Sequence, residues 1–419
     1  GCEPGWERAL SAGLRPPAGG HSDGPSNNTR TSPRDRQTYP GYMTYLDHAA
    51  TSPVRPEALA AFQRACEVGG NASSIHADGR AARRVLDEAR ESVAASIGAE
   101  PVEVIFTSGG TEAANLAVLG AGRALRALDP DNLVVASAIE HPAVLGALSE
   151  LGGATRLLPV QTNSLLDATA LSELPPSAGL ISVMWVNNET GVVQPIEQVV
   201  DVGNQIGALV HSDAVQAVGH LPVRFADSGL DMLSFSGHKI GAPVGIGTLV
   251  ARRGVNLARL SFGGDQERGV RSGTLNVAGA AALAAALEAA TSDLANEAAR
   301  LRELSAIAEA ALEAIGGVAV TGTDLSPEQR SPAIVHAVVD GVDADSLQFA
   351  FDRAGIAVSS GSACRAGVQE PSHVIEAMGS PWVRGGLRCS LGWTSQRADV
   401  EAFAASVAEA IVAARAVAG

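Results

Sequence analysis

The 419-residue chain carries 30 Lys and Arg against 45 Asp and Glu, a net charge of −15 with a sequence pI near 5.0. That balance argues against nucleic acid or an anionic membrane as the main partner, and 4% aromatic residues leave little for base-stacking platforms. A hydrophobic share of 46% and a charged share of 18% read as a globular protein with one large core and a smaller one.

Residues 1–42 are rich in Gly, Pro, Ser, Asn and Arg and show no apolar period of 2 or 3.6. They read as a disordered extension or as translated sequence upstream of a start at Met43. They lack the apolar core of a secretory signal, and Glu3, Glu7, Asp23 and Asp35 weaken a transit-peptide reading. From Tyr45 onward the pattern becomes compact. A helix is expected over Arg80–Ile97, with Ala82, Val85, Leu86, Ala89, Val93 and Ile97 on one stripe. Apolar strands are expected over Val102–Thr107, Leu133–Ser137, Leu180–Val186, Ala208–Ser212, Met232–Phe235 and Thr248–Ala251. Such alternation predicts an α/β architecture, a doubly wound and mainly parallel sheet covered on both faces. An Ala-rich helical region, about 276 to 316, leads to a second, smaller α/β stretch ending in the amphipathic helix Ala398–Ala414. The longest apolar run, Val277–Leu287, is too short to span a bilayer.

Chemically capable residues fall where these strands end, and in a doubly wound sheet ligands bind beyond the carboxyl ends of strands. After the first strand, Ser108-Gly-Gly110-Thr111-Glu112 opens a helix. That is either an anion site suited to a phosphate or a turn that only needs the glycines. After the second comes Glu140-His141-Pro142, an imidazole able to lie over a flat ring or simply to cap a helix. After the third, Asn188 offers an amide. The fourth ends at Asp213, with Gln216 three residues later, and the fifth ends at Ser236, His238 and Lys239.

Lys239 is the only lysine in the chain. A lysine able to form a Schiff base, with an aspartate to keep a pyridine nitrogen protonated, is the pair that pyridoxal 5'-phosphate requires. The plain alternative is a surface lysine and a capping aspartate. A chain that uses arginine for every other cation, and five strands each delivering a ligand to one edge, favour the cofactor.

At this level of detail the sequence resembles the cysteine desulfurases of the aminotransferase class V family, of the iron–sulfur cluster assembly type. The likeness is carried in order by Tyr45-Leu-Asp-His-Ala-Ala-Thr-Ser-Pro, Gly70-Asn-Ala-Ser-Ser-Ile-His76, Thr107-Ser-Gly-Gly-Thr-Glu, Glu140-His141, Val186-Asn-Asn-Glu, His211-Ser-Asp-Ala-Val-Gln216, Ser234-Phe-Ser-Gly-His-Lys, Glu267-Arg-Gly-Val-Arg-Ser-Gly-Thr274 and Ser359-Ser-Gly-Ser-Ala-Cys364. It departs from the usual pattern at Ser52, at Ala242-Pro243 and at Asp265-Gln266.

The resemblance implies the fold type I architecture of pyridoxal-phosphate enzymes. A large domain would cover 57–298, and a small one 43–56 with 299–419. It implies that Lys239 bears the cofactor, Asp213 pairs with its ring nitrogen, and His141 stacks on the ring and moves protons. Asn188 and Gln216 would address the ring oxygen. Gly110, Thr111, Ser236 and His238 would hold the phosphate, with Thr274 reaching in from the other subunit of a homodimer. Arg388, helped by Asn188, would grip the carboxylate of L-cysteine, since a guanidinium meets both carboxylate oxygens with two N–H donors.

The four cysteines, Cys2, Cys66, Cys364 and Cys389, form no CxxC pair. Neither a structural zinc site of the usual spacing nor a disulfide framework is expected, and a cytoplasmic setting is. A buried small hydrophobe is the ordinary role of a lone cysteine, and it suits Cys66 and Cys389. It does not suit Cys364, which sits among Ser, Gly and Arg365 as in a mobile loop, where a neighbouring guanidinium favours thiolate. The resemblance implies that Cys364 takes the substrate sulfur as a persulfide, releases alanine, and passes the sulfur to an acceptor or iron–sulfur scaffold protein. No resident metal is implied, beyond a transient iron–sulfur ligand role for Cys364. The alternative is a selenocysteine lyase or another class V C–S lyase, which would not need Cys364.

Overall fold

The computed structural model describes residues 44–361 and 371–418. The extension 1–42 and Cys364 lie outside the described residues. Twelve strands appear in chain order: β1 Thr44–Tyr45, β2 Val104–Thr107, β3 Leu133–Ser137, β4 Thr155–Leu158, β5 Ala178–Ser182, β6 Leu209–Asp213, β7 Met232–Ser236, β8 Gly247–Ala251, β9 Val318–Val320, β10 Ile334–Val339, β11 Ile356–Ala357 and β12 Gly386–Ser390. Seven of them form the central sheet in the order β2-β8-β7-β6-β5-β3-β4.

Strand β8 runs antiparallel to both β2 and β7, and the other neighbours in that sheet are parallel. Because β2 and β7 both oppose β8, they point the same way as each other. The carboxyl ends of β2, β3, β5, β6 and β7 therefore share one edge. The architecture is the mainly parallel α/β one expected from the apolar strands.

Alternation along each strand explains the two covered faces. Val104 and Phe106 of β2, Val135 of β3, and Leu233 and Phe235 of β7 enter one core, beneath helices 56–68, 77–97 and 277–291. Ile105, Val134, Ala136 and Met232 enter the other, beneath helices 110–128 and 142–151. His211 sits fully buried in the middle of the sheet, bridging Ser182 of β5 at 2.9 Å and Ser234 of β7 at 3.0 Å. Burial pushes its pKa down to about 3, so it is a neutral polar rung across three strands.

A second sheet, β12-β10-β9, is antiparallel. It has its own core, in which Val335, Val339, Leu387 and Cys389 meet Leu301, Phe351, Phe403 and Ile411 of the surrounding helices, and Leu46 joins from the start of the described chain.

Several local expectations are corrected. The Ala-rich stretch from 276 to 316 is two helices, Val277–Thr291 and Leu294–Glu313, meeting at 72°. The polar Thr291-Ser292-Asp293 junction allows the break, with Thr291 Oγ1 donating back to the Leu287 carbonyl at 2.8 Å. The strand expected to run to Val186 ends at Ser182. The edge strand β4, largely exposed and carrying Arg156, gave no apolar pattern in the sequence. Cys66 is exposed rather than buried, because its helix turns Ala58, Ala61 and Ala65 inward and Cys66 lies one residue past that stripe. Cys389 is buried as expected. No single described helix is long and apolar enough to cross a membrane.

Phe351 and Phe403 stack with ring centroids 5.3 Å apart at the centre of the smaller core. Replacing Phe403 by Ala is expected to cost about 3–5 kcal/mol, read as a lowered urea midpoint. A loss below about 1 kcal/mol would show that this pair does not anchor the core.

Candidate active site

The shared strand edge opens into a cavity of about 720 Å³. It is lined by Gly110, Thr111, His141, Asn188, Asp213, Gln216, Ser236, His238, Lys239 and Arg388. The residues singled out at separate strand ends are thus brought together. Thr274 is not among the lining residues and is exposed. Cys364 and Arg365 lie outside the described residues.

The floor is built by close backbone packing. A Cβ on Gly247 would stand 2.5 Å from the Gly109 carbonyl carbon, so only glycine lets β8 pass beneath that turn. A Cβ on Gly110 would meet Val215 Cγ2 at 3.0 Å and Ser236 Cβ at 3.3 Å. The helical run that starts at Gly110 therefore abuts the end of β7, and its first N–H groups share the cavity with the Thr111 and Ser236 hydroxyls.

Lys239 lies in the short 3-10 turn Gly237–Lys239 that ends β7. Its Nζ donates to the Ala49 and Ala50 carbonyls, each at 2.6 Å. Burial and the nearby Arg388 lower its pKa to about 8, only partly opposed by Asp47 and Asp213. Gln216 Nε2 donates to the same Ala49 carbonyl at 3.0 Å. Asp213 is buried, its carboxylate accepts from Val215 N at 3.0 Å, and burial raises its pKa to about 6.

His141 turns out both to cap a helix and to face the cavity. It is the N-cap of helix Pro142–Leu151, its Nδ1 accepting from Ala143 N at 3.1 Å. Nδ1 as acceptor leaves the proton of the neutral ring on Nε2, and burial followed by Lys239 lowers the pKa to about 4. His238 Nδ1 pairs with Thr51 Oγ1 at 3.1 Å, and its pKa is likewise pulled down to about 4 by burial and Lys239.

Arg388 arrives from the second sheet, on β12. It is 4% exposed, with Nη1 donating to the Asn188 carbonyl at 2.8 Å and Nη2 to Asp47 Oδ1 at 2.7 Å. Its Nε is buried with no protein partner.

Sequence reasoning missed several participants. The Ala49 and Ala50 carbonyls and Asp47 belong to the Tyr45-Leu-Asp-His-Ala-Ala stretch, but main-chain ligands leave no side-chain signal. Glu189, Ser372 and His373 also line the cavity. Glu189 directly follows Asn188 and was legible only as its neighbour.

The arrangement matches a known pattern. The aminotransferase class-V pattern covers residues 44–403. The chain belongs to the aminotransferase class-V family. Within that family, an IscS-like cysteine desulfurase of Mycobacterium tuberculosis is 45% identical over 387 residues, spanning 89% of this chain and 97% of the relative. Among solved structures, a NifS-like protein superposes with a TM-score of 0.81 at 30% identity, over 88% of this chain and 99% of its own. SspA in complex with cysteine superposes with a TM-score of 0.72, also at 30% identity, over 83% of this chain and 98% of its own.

Next to His141 the fully buried Glu140 accepts from Ser137 Oγ at 2.6 Å and from Met184 N at 2.7 Å through Oε1, while its Oε2 has no partner. Burial raises its pKa from 4.5 to about 8. A raised carboxyl is protonated in the folded state and ionised in the unfolded one between those values, so folded stability falls as pH climbs through that window. Glu140→Gln has no proton to lose. Its melting temperature relative to wild type should improve steadily from pH 5 to about 8 and stay level above. A difference independent of pH would contradict a protonated Glu140.

Proposed function

We propose that this protein is a pyridoxal-phosphate-dependent cysteine desulfurase that converts L-cysteine to L-alanine and hands the sulfur to Cys364. The observation that carries the reading is the convergence of the single lysine, Asp213 and His141 in one cavity with a buried arginine that still has an open donor. The relatives named cysteine desulfurase support the substrate, as does the SspA structure with cysteine.

The residues present fit the cofactor. The Gly110 cradle, together with the Thr111, Ser236 and His238 side chains, offers donors to a phosphate at a fresh helix start. Lys239 supplies the amine for covalent attachment, and its depressed pKa keeps more of that amine neutral and nucleophilic near neutral pH. Asp213 would pair with the ring nitrogen, and a cationic partner would return its raised pKa toward the ionised range. Gln216 and Asn188 would address the ring oxygen, and Thr274, exposed on this subunit, would complete the phosphate site of a partner subunit in a homodimer. The parts divide as a cofactor-bearing domain over 57–298 and a smaller one over 43–56 and 299–419.

When bound, pyridoxal phosphate withdraws electrons from the substrate and so makes its sulfur open to nucleophilic attack. Around it the chain binds and moves protons. Arg388 holds the L-cysteine carboxylate, with Asp47 and the Asn188 carbonyl fixing the guanidinium. The neutral His141 presents its Nε2 face to the cavity, and Lys239 Nζ would take and return the α-proton.

Cys364 thiolate then attacks the substrate sulfur. The new S–S bond forms as the Cβ–S bond breaks, the bonding pair is left on carbon, and protonation of that carbon yields alanine. The sum is L-cysteine and a protein thiol giving L-alanine and a protein persulfide, which an acceptor thiol or iron–sulfur scaffold protein relieves.

Cys364→Ser should bind the cofactor and still change its absorbance with L-cysteine, yet release almost no sulfur, because a serine hydroxyl stays protonated near neutral pH. Labelled cysteine sulfur should remain on the wild type and on Cys66→Ser and Cys389→Ser, but not on Cys364→Ser. Near-normal sulfide release by Cys364→Ser would overturn the persulfide route.

A further inference from the structure

We propose that Glu189 is a positioning residue: it holds both stems of the segment bearing Cys364 at a fixed place relative to Arg388. The proposal rests on the assignment of Cys364 as the sulfur acceptor. Gly361 is the last described residue before that segment and Ser372 the second after it, and both meet Glu189.

On the later stem, Ser372 Oγ donates to Glu189 Oε2 at 2.5 Å and accepts from Ile375 N at 3.2 Å, capping helix His373–Ala377. Its one hydroxyl proton is thereby committed to Glu189. On the earlier stem, Gly361 has φ +86°, and a Cβ there would stand 3.0 Å from Glu189 Cγ and 3.2 Å from Oε2. The main chain thus packs directly on the carboxylate side chain. Gly361 N donates to Ser359 Oγ at 3.1 Å, and Ser359 exchanges main-chain hydrogen bonds of 3.1 Å and 2.6 Å with Arg388.

Glu189 is itself anchored. Its N–H donates to Asn187 Oδ1 at 2.9 Å, and the Asn187 amide donates to the Ile139 carbonyl at 3.0 Å. The residue before it, Asn188, accepts Arg388 Nη1 on its carbonyl. One short turn therefore ties the carboxylate-binding arginine to both stems.

Glu189 is 2% exposed and makes no ion pair among the described residues. His373 and Arg388 favour its charge only through space, and an apolar side chain would fill the same space more cheaply if filling were its only task. Burial raises its pKa, with the Ser372 hydrogen bond opposing.

The test uses holoenzyme variants Glu189→Ala, Glu189→Gln, Ser372→Ala and Glu189→Ala/Ser372→Ala, mixed rapidly with 35S-labelled L-cysteine. Two rates are read: the absorbance change at the cofactor and the appearance of label on the protein. In Glu189→Ala the absorbance change should slow far less than the labelling does. Labelling should slow on the order of tenfold to a hundredfold, the effect of misplacing a reacting group by about 1 Å. Glu189→Gln, which keeps an oxygen to accept from Ser372, should recover most of the labelling rate. Ser372→Ala should slow labelling as Glu189→Ala does, with no further loss in the double variant; it also carries the test where Glu189→Ala fails to fold. Wild-type labelling in the alanine variants overturns the proposal, and so does equal slowing of both rates. Cys364→Ser run alongside keeps the parent reading separate: label retained there overturns the assignment of Cys364, and the proposal with it.

Discussion

An amine that must react as a neutral nucleophile cannot sit beside a carboxylate that holds its proton, and the placement of Lys239 meets that constraint. Its ammonium is satisfied by two main-chain carbonyls, it makes no ion pair among the described residues, and a buried guanidinium stands close enough to disfavour its charge. The surroundings follow from this. His141 and His238 both lose basicity partly because of Lys239, so each is a neutral ring, and His141 carries its donor on Nε2. Asp213, an acid buried in the floor, is pushed toward its protonated form until a cation meets it. An isolated site of this kind is electrostatically uncomfortable, which is the condition that a bound cationic ring and an anionic phosphate relieve.

The second feature is that the site spans two sheets. The floor comes from strand ends of the central sheet, whereas Arg388 comes from β12, and only its contacts to Asp47 and to the Asn188 carbonyl seat it over that floor. Small shifts of the smaller core against the larger would move the guanidinium relative to Lys239. The Asn187–Glu189 turn resists them, since it is pinned to Ile139 on one side and to Arg388 and Ser372 on the other.

Much of this was legible in the sequence for a physical reason. Strands buried on both faces read as apolar runs, and where a run stops at Ser, Asp or His the chain has reached the sheet edge. That logic found Gly110, His141, Asn188, Asp213, Ser236 and Lys239 as neighbours although they are far apart in the chain. It failed where the signal is not carried by side-chain type. The carbonyls of Ala49 and Ala50 are invisible in a sequence, the helix break at Ser292 has no proline or glycine at the junction, and Cys66 misses the buried stripe of its helix by one position. Arg388 was legible only through resemblance, because nothing local says that β12 of a separate sheet contributes to the same cavity.

The central claim is that Lys239 carries pyridoxal phosphate. Borohydride reduction of the purified protein followed by peptide mass spectrometry tests it most directly. The account predicts a single pyridoxyl-phosphate adduct, on the peptide containing Lys239. An adduct on the terminal amine, or none in a protein that nevertheless turns over cysteine, would contradict it.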